Sequence, residues 1–209
     1  MSDAPPIRVL MVDDHALLRD GVATYLAPLD DIEIVGEASN GVEAIEAFRE
    51  LAPDVTLMDL QMPVMDGLAA IAAIRADDPE ARIVVLTTYE GDVQATRALK
   101  AGAVGYLLKS GLRRELADTI RKAHAGRRHV QPEIATAVAL GALGEAITQR
   151  ETEVLALVAE GCSNKVIAAK LGLSEETVKT YMRGILSKLG ATDRTHAVTL
   201  AHRRGIIRL

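Results

Sequence analysis

The chain has 209 residues, 49% hydrophobic and 25% charged, with a formal net charge of -5, only 2% aromatics and no Trp. This composition excludes a disordered, collagen-like or disulfide-stapled protein and leaves an aliphatic core as the organising principle. One cysteine, Cys162, cannot close an intramolecular disulfide, and the opening MSDAPPIRVL lacks the basic-then-apolar pattern of a signal peptide, so a cytoplasmic protein is expected.

An evenly spread net negative charge would argue against a nucleic-acid partner. The charge is not evenly spread. Residues 1–125 hold 12 Lys and Arg against 21 Asp and Glu, whereas residues 126–209 hold 12 against 8. Opposite signs predict two domains.

Along the acidic part, strand candidates run over Arg8–Val12, Ile32–Ala38, Val55–Asp59, Arg82–Thr87 and Gly105–Leu108. Amphipathic helices are expected at Ala16–Leu26, Gly41–Leu51, Gly67–Ala76, Val93–Ala101 and Leu112–Ala125. Alternating strands and helices require parallel pairing with right-handed crossovers, hence a doubly wound α/β sheet. The runs VLMV, VTLM, IVVL and GYLL are nearly all apolar, as strands covered on both faces should be.

Residues 126–147 read as a linker, with a basic GRRH patch, Pro132 and an Ala-rich run that is either a short helix or an interdomain coupling element. The uncharged run Ile134 to Gly144 falls short of the roughly 18 residues a membrane span needs, so no membrane association is expected. Only helical patterns follow. Thr148 with Glu151 forms a capping box for a first helix, Asn164–Leu171 is a second, Ser174 opens a third that runs to Leu189, and Asp193–Arg204 makes a fourth.

In an open parallel sheet, ligands bind at the carboxyl ends of the strands beside the point where strand order reverses. Asp13 and Asp14 after the first strand, Asp59 at the third, Thr87 at the fourth and Lys109 after the fifth should meet there. Close carboxylates raise one another's pKa unless a cation neutralises them, and hard oxygen ligands suit Mg2+. A lysine and a hydroxyl opposite add donors for a phosphoryl group, so the set reads as an aspartate that accepts phosphate with metal assistance. His15 is read as a turn or helix-start residue rather than a ligand.

VDDH at 12–15, LMDLQMPVMDG at 57–67, LTT at 86–88 and GAVGYLLKS at 102–110 together resemble the receiver domain of two-component response regulators. The resemblance implies a flavodoxin-like (βα)5 fold over residues 1–125, with Asp59 taking phosphate from a sensor histidine kinase. It implies Mg2+ held by Asp14, Asp59 and the Gln61 backbone carbonyl, with Asp13 acting mainly through water. Lys109 would pair with a phosphoryl oxygen, Thr87 would swing onto it, and Tyr106 would rotate inward into the space vacated. Neutral Gln61 and bulky Tyr89 flank the path of hydrolytic water in this family and imply slow dephosphorylation. Pro63 and Gly67 are expected as backbone devices, a fixed φ and a tight turn.

On the third helix of the basic part, Val178, Met182, Ile185 and Leu189 fall on one stripe, and Lys179, Thr180, Arg183 and Ser187 on the opposite side. A helix with an apolar back and a short basic face fits a DNA major groove. Residues 148–209 resemble the LuxR-type helix-turn-helix of NarL/FixJ regulators, an all-α four-helix domain. That resemblance assigns base contacts to Lys179, Thr180 and Arg183, phosphate contacts to Lys165, Thr177, Lys188 and Arg194, and a dimer contact to the last helix, which could equally pack only within its own domain. Gly184 either permits close packing or loosens the helix, and Cys162 is expected as a small buried residue.

The reading is a DNA-binding transcriptional response regulator rather than an enzyme, acting on double-stranded promoter DNA as a homodimer when phosphorylated. Two rivals are a Mg2+-dependent phosphohydrolase and a receiver acting by protein contact alone. The first is disfavoured by Gln61 where such enzymes carry a second aspartate, and by the lack of a cap insertion.

Overall fold

The computed structural model describes residues 5–88, 92–130, 135 and 147–207. Tyr89 and most of the Ala-rich stretch between Ile134 and Thr148, with the helix expected there, lie outside the described residues. Two compact units emerge, and each is taken by itself.

The first unit alternates β1 (Ile7–Val12), α1 (Ala16–Leu26), β2 (Ile32–Ala38), α2 (Gly41–Leu51), β3 (Val55–Asp59), α3 (Gly67–Asp77), β4 (Ile83–Thr87), α4 (Asp92–Lys100), β5 (Gly105–Leu108) and α5 (Leu112–His124). A 3-10 turn at Lys109–Gly111 joins β5 to α5, and a short β6 (His129–Val130) closes the series. The strands lie in the order β2-β1-β3-β4-β5-β6, all parallel. The chain steps outward from β1 to β2 and then crosses back to β3, so the strand order reverses between β1 and β3.

Every residue of β3, β4 and β5 is buried, which is why these runs carry no solvent-facing alternation. One face of the sheet packs Val9, Met11, Leu57, Leu86 and Leu107 against Leu116 and Ile120 of α5 and Val22 and Leu26 of α1. The five expected strands and helices are present within a residue or so at each end. The sixth strand is not legible in the sequence: residues 129–130 fall in the expected linker, but the His129 amide donates to the Val104 carbonyl at 3.0 Å and adds an edge to the sheet. Two residues of a basic stretch carry no strand periodicity of their own, so pairing with β5 alone defines β6.

The second unit holds α6 (Gln149–Ala159), α7 (Asn164–Leu171), α8 (Glu175–Leu189) and α9 (Arg194–Arg203). Each starts on a side-chain cap: Thr148 with Glu151 in a reciprocal capping box, then Ser163, Ser174 and Asp193. Gly172 and Gly190, at φ 65° and 66°, close α7 and α8 in the left-handed conformation that a side chain resists. The core gathers Val154, Leu155, Ile167, Val178, Ile185 and Ala197, and the buried stripe of α8 is Val178, Met182, Ile185 and Leu189 as its spacing predicts. Cys162 is only partly buried against this core, less than its apolar character suggested.

No helix among the described residues is long and apolar enough to cross a membrane.

Candidate functional site

Where strand order reverses, the carboxyl ends of β1 and β3 deliver Asp13, Asp14 and Asp59 to one place. Asp13 is fully buried and Asp59 nearly so, while Asp14 faces solvent. Lys109 reaches across from the turn after β5, with Nζ at 2.7 Å from Asp13 Oδ2 and 3.0 Å from Asp59 Oδ2. The Leu60 amide donates to Asp59 Oδ1 at 2.8 Å, fixing the carboxylate's rotamer.

Burial pushes the Asp59 carboxyl above the usual carboxylate range; Lys109 opposes this, the Asp13 charge adds to it, and the Gln61 amide again lowers it. Burial also works to depress Lys109, but its bond to Asp13 and the charges of both aspartates outweigh it, and its pKa is raised. The ammonium is thus held charged between two carboxylates that would otherwise repel.

One glycine lets the backbone carry this geometry. A Cβ on Gly67 would sit 2.0 Å from the Asp59 carbonyl oxygen, so only glycine allows α3 to start this close to the end of β3. The requirement is close approach, not the tight turn expected from sequence. In the turn before it Val64 adopts φ 66°, left-handed for a β-branched residue, and the residue is 86% exposed.

Thr87 and Tyr106, on neighbouring strands, are both buried, with the phenol pushed up to about 12 by burial, the nearby Thr87 hydroxyl opposing and the Asp59 charge adding. Tyr106 therefore already points inward, where sequence reasoning expected it to arrive only after rotation. Every residue of its strand is buried, Tyr106 included.

Sequence reasoning missed two supports of the pocket. Arg19 on α1 donates through Nη1 to the Asp13 carbonyl at 2.7 Å and through Nε to Glu37 at 2.8 Å, anchoring the loop after β1. His15, read as a turn or helix-start residue, does stand at the N-cap position of α1, though its side chain makes no capping bond there; its Nδ1 lies 2.8 Å from Asp14 Oδ1. One ligand atom each from Asp13, Asp14, His15 and Asp59 lies within 4.8 Å of the others, a donor set that can hold a metal ion. Only the position of His15 directly after an acidic pair hinted at its proximity.

In the helical unit, Lys179, Thr180 and Arg183 are exposed on one face of α8, opposite its buried stripe, and Lys165 is exposed at the start of α7. Thr177 is half-buried, its hydroxyl 2.8 Å from Ser174 Oγ at the cap. Arg194 donates to the Cys162 carbonyl at 2.8 Å and ties α9 to the turn before α7. Lys188 departs from its expected place among the phosphate contacts. Only 17% exposed, it pairs at 2.9 Å with Glu151, itself 7% exposed, so it turns into the domain rather than toward a ligand. Burial works to raise Glu151, but hydrogen bonds from Thr148 and Lys188 prevail and lower it. A Cβ on Gly184 would meet Glu151 Oε1 at 3.2 Å, which decides its role: it gives the carboxylate room against α8. Nothing in the local pattern links residue 151 to residue 188, so only the fold reveals this pair.

A parallel sheet with an acidic pocket and a lysine at its switch point, followed by a helix-turn-helix with an exposed cationic face, is the build of a signal-receiving DNA-binding regulator. Residues 9–121 match the response regulator receiver domain and residues 145–201 the bacterial regulatory proteins of the luxR family. The chain is 41% identical over 206 residues to the response regulator protein VraR of Staphylococcus aureus, covering 96% of this chain and 99% of that one. Among solved structures, the response regulator ChrA of a heme-sensing two-component system matches with 38% identity and TM-score 0.58, over 98% of this chain and 100% of that one. RcsB of Salmonella typhimurium, studied for conformational dynamism in DNA interaction, matches with 25% identity and TM-score 0.71, over 94% and 99%. The chain belongs to the two-component response regulators with a LuxR-type DNA-binding domain, a family of transcription regulators.

Proposed function

We propose that Asp59 receives a phosphoryl group from the phosphohistidine of a sensor kinase, and that this changes the dimerisation and promoter-DNA binding of the protein. The working divisions are a receiver over residues 1–125, a linker over 126–147 and a DNA-binding domain over 148–209, in the cytoplasm. The observation that carries the reading is the placement of Asp59 at the switch point, 3.0 Å from Lys109 and beside Asp13.

An Asp59 carboxylate oxygen attacks phosphorus, the P–N bond of the phosphohistidine breaks, and the departing imidazole takes a proton. Lys109, already charged and 3.0 Å from Asp59, is placed to move onto a phosphoryl oxygen as that charge arrives. Asp14, Asp59 and the Gln61 carbonyl would hold Mg2+, with Asp13 through water; the clustered donor atoms fit a divalent ion. Bound there, the ion supplies positive charge that offsets the crowded carboxylates and the phosphoryl oxygens. The Thr87 hydroxyl, beside inward-facing Tyr106, turns toward the phosphoryl group, and Tyr106 holds the resulting arrangement of the β4–β5 edge. Neutral Gln61 offers no base to a hydrolytic water, which favours a long-lived acyl phosphate.

In the DNA-binding domain, α8 enters the major groove, where Lys179, Thr180 and Arg183 reach base edges and Lys165 a phosphate. The exposure of the first three on one face supports this. Thr177, through its position at the start of α8, is placed near the backbone. Two copies related by twofold symmetry, joined through α9, would read paired half-sites. Incubation with acetyl phosphate and Mg2+ followed by intact-mass measurement tests the receiver step: wild type gains one phosphoryl group and Asp59→Asn gains none. Labelling of Asp59→Asn would overturn the assignment.

A further inference from the structure

Both cations assigned to base reading on α8 are tied to one carboxylate in the same face. Glu176 Oε2 lies 3.2 Å from Lys179 Nζ, and Glu176 Oε1 lies 3.4 Å from Arg183 Nη2. The Thr180 hydroxyl donates to the Glu176 backbone carbonyl at 3.0 Å, and Arg183 Nη2 also donates to Thr180 Oγ1 at 3.4 Å. Residues 176, 179, 180 and 183 recur at helical spacing, so the carboxylate belongs to the surface that the helix presents, not to its flank.

Fold stability does not explain a carboxylate here. The three groups are more than half exposed, at 69% for Glu176, 54% for Lys179 and 71% for Arg183, and exposed ion pairs contribute little. Glu175, also in the first turn of α8, already supplies a negative charge to the helix N-terminus. In a DNA groove, by contrast, a carboxylate has a distinct consequence. It repels phosphates, and the one base edge group that suits it directly is an amino donor, of which cytosine N4 is the characteristic partner. Lys and Arg take the complementary acceptors, guanine O6 and N7.

We infer that Glu176 is a specificity-determining residue of the reading face: its carboxylate accepts from a cytosine N4 amino group in the major groove, and on other sequences it keeps Lys179 and Arg183 off the phosphates. This rests on the proposed entry of α8 into DNA. On random DNA the two cations stay partly neutralised by Glu176, and its charge faces the phosphates. On the matching site they exchange a weak exposed pair for guanine acceptors while Glu176 finds its own donor. The exchange is easy because the pairs are weak, and it is selective because only a base step offering both acceptors and an amino donor satisfies all of the groups.

The test is selection of bound sequences from a random duplex pool by the full chain, run in parallel for wild type, Glu176→Gln, Glu176→Ala and Lys179→Ala. Each is also titrated with one random duplex across salt concentrations. Wild type is expected to require cytosine at one position of each half-site. Both Glu176 variants should lose that preference by about tenfold or more while keeping the positions that Lys179→Ala relaxes. They should also bind the random duplex roughly two- to fivefold more tightly at low salt, with the gain vanishing at high salt. Unchanged thermal unfolding of both variants would show that the effect lies in recognition rather than folding. Glu176→Gln and Glu176→Ala selecting the wild-type sequence, with unchanged random-duplex affinity, would overturn the inference while leaving DNA reading by α8 intact. A wild type that selects no sequence, or a Lys179→Ala variant that selects the same one, would instead overturn the placement of α8 in the groove, and the inference with it.

Discussion

Replacing Lys109 by Met removes the only charge seen between Asp13 and Asp59 among the described residues while keeping most of the side chain's length. At 2.7 and 3.0 Å the two contacts are each worth about 5–6 kcal/mol gross at an effective dielectric near 20. Desolvation of a largely buried ammonium takes back several of these, which leaves a net loss of about 3–5 kcal/mol, the usual result of orphaning buried charges. Because folding holds the Asp59 carboxyl above its ordinary range, its contribution to stability is fully present below about pH 3.9, the unfolded value, and is lost as pH rises through the folded value. Without Lys109 that loss grows, so the gap between variant and wild type should be widest near neutrality and narrow on acidification. Hydrogen exchange of amides in β3 and β4 reads the receiver alone, since these buried strands open only when it unfolds. At pH 7 without divalent ions, exchange should quicken by more than about a hundredfold, the equivalent of about 3 kcal/mol. Added Mg2+ should restore more protection to the variant than to wild type. Exchange within a factor of about three of wild type would refute the claim that Lys109 neutralises these carboxylates in the folded state.

Other substitutions test separate parts of the structure. Gly67→Ala forces a Cβ into the Asp59 carbonyl at 2.0 Å and should destabilise the receiver by about 3 kcal/mol or more in a denaturant titration; a loss under about 1 kcal/mol would mean that α3 can withdraw freely. Val64→Gly should stabilise by about 1 kcal/mol, because the valine is exposed and left-handed and has little packing to lose, and an unchanged midpoint would argue against strain there. Glu151→Ala removes half of the capping box and the buried carboxylate that Lys188 pairs with, so the helical unit should lose about 2–4 kcal/mol. Since folding lowers the pKa of Glu151, its contribution is present above about pH 4.3, the unfolded value, and lost as pH falls through the folded value; an acid unfolding profile identical in wild type and Glu151→Ala would contradict this. Gly184→Ala, which on an open helix would gain about 1 kcal/mol, should give no gain, because the new methyl group meets the pinned Glu151 carboxylate.

The alternation of apolar runs and amphipathic stretches was enough to place five strands and their helices, because strands buried on both faces announce themselves by continuous hydrophobicity. Asp13, Asp14, Asp59, Thr87 and Lys109 were legible for a related reason: in a parallel sheet the residue following each strand is carried to the same edge. What depended on long-range geometry was not legible. β6 exists only through its pairing with β5, the Lys188–Glu151 pair joins residues 37 apart in sequence, and Arg19 reaches the pocket across a turn. Gly67 and Gly184 were visible as glycines, but what each makes room for required the neighbouring atoms. The grip of Glu176 on two cations follows helical spacing and could in principle have been read from the sequence.

The central claim joins the two units: phosphate on Asp59 governs how α8 meets DNA. It is tested most directly by measuring the affinity of the full chain for a duplex selected by it, with Mg2+, in the presence and absence of acetyl phosphate, for wild type and Asp59→Asn. The account predicts that the phosphodonor shifts the affinity of wild type and leaves Asp59→Asn unmoved. Equal affinity with and without phosphodonor in a wild type shown by mass to be phosphorylated would contradict it.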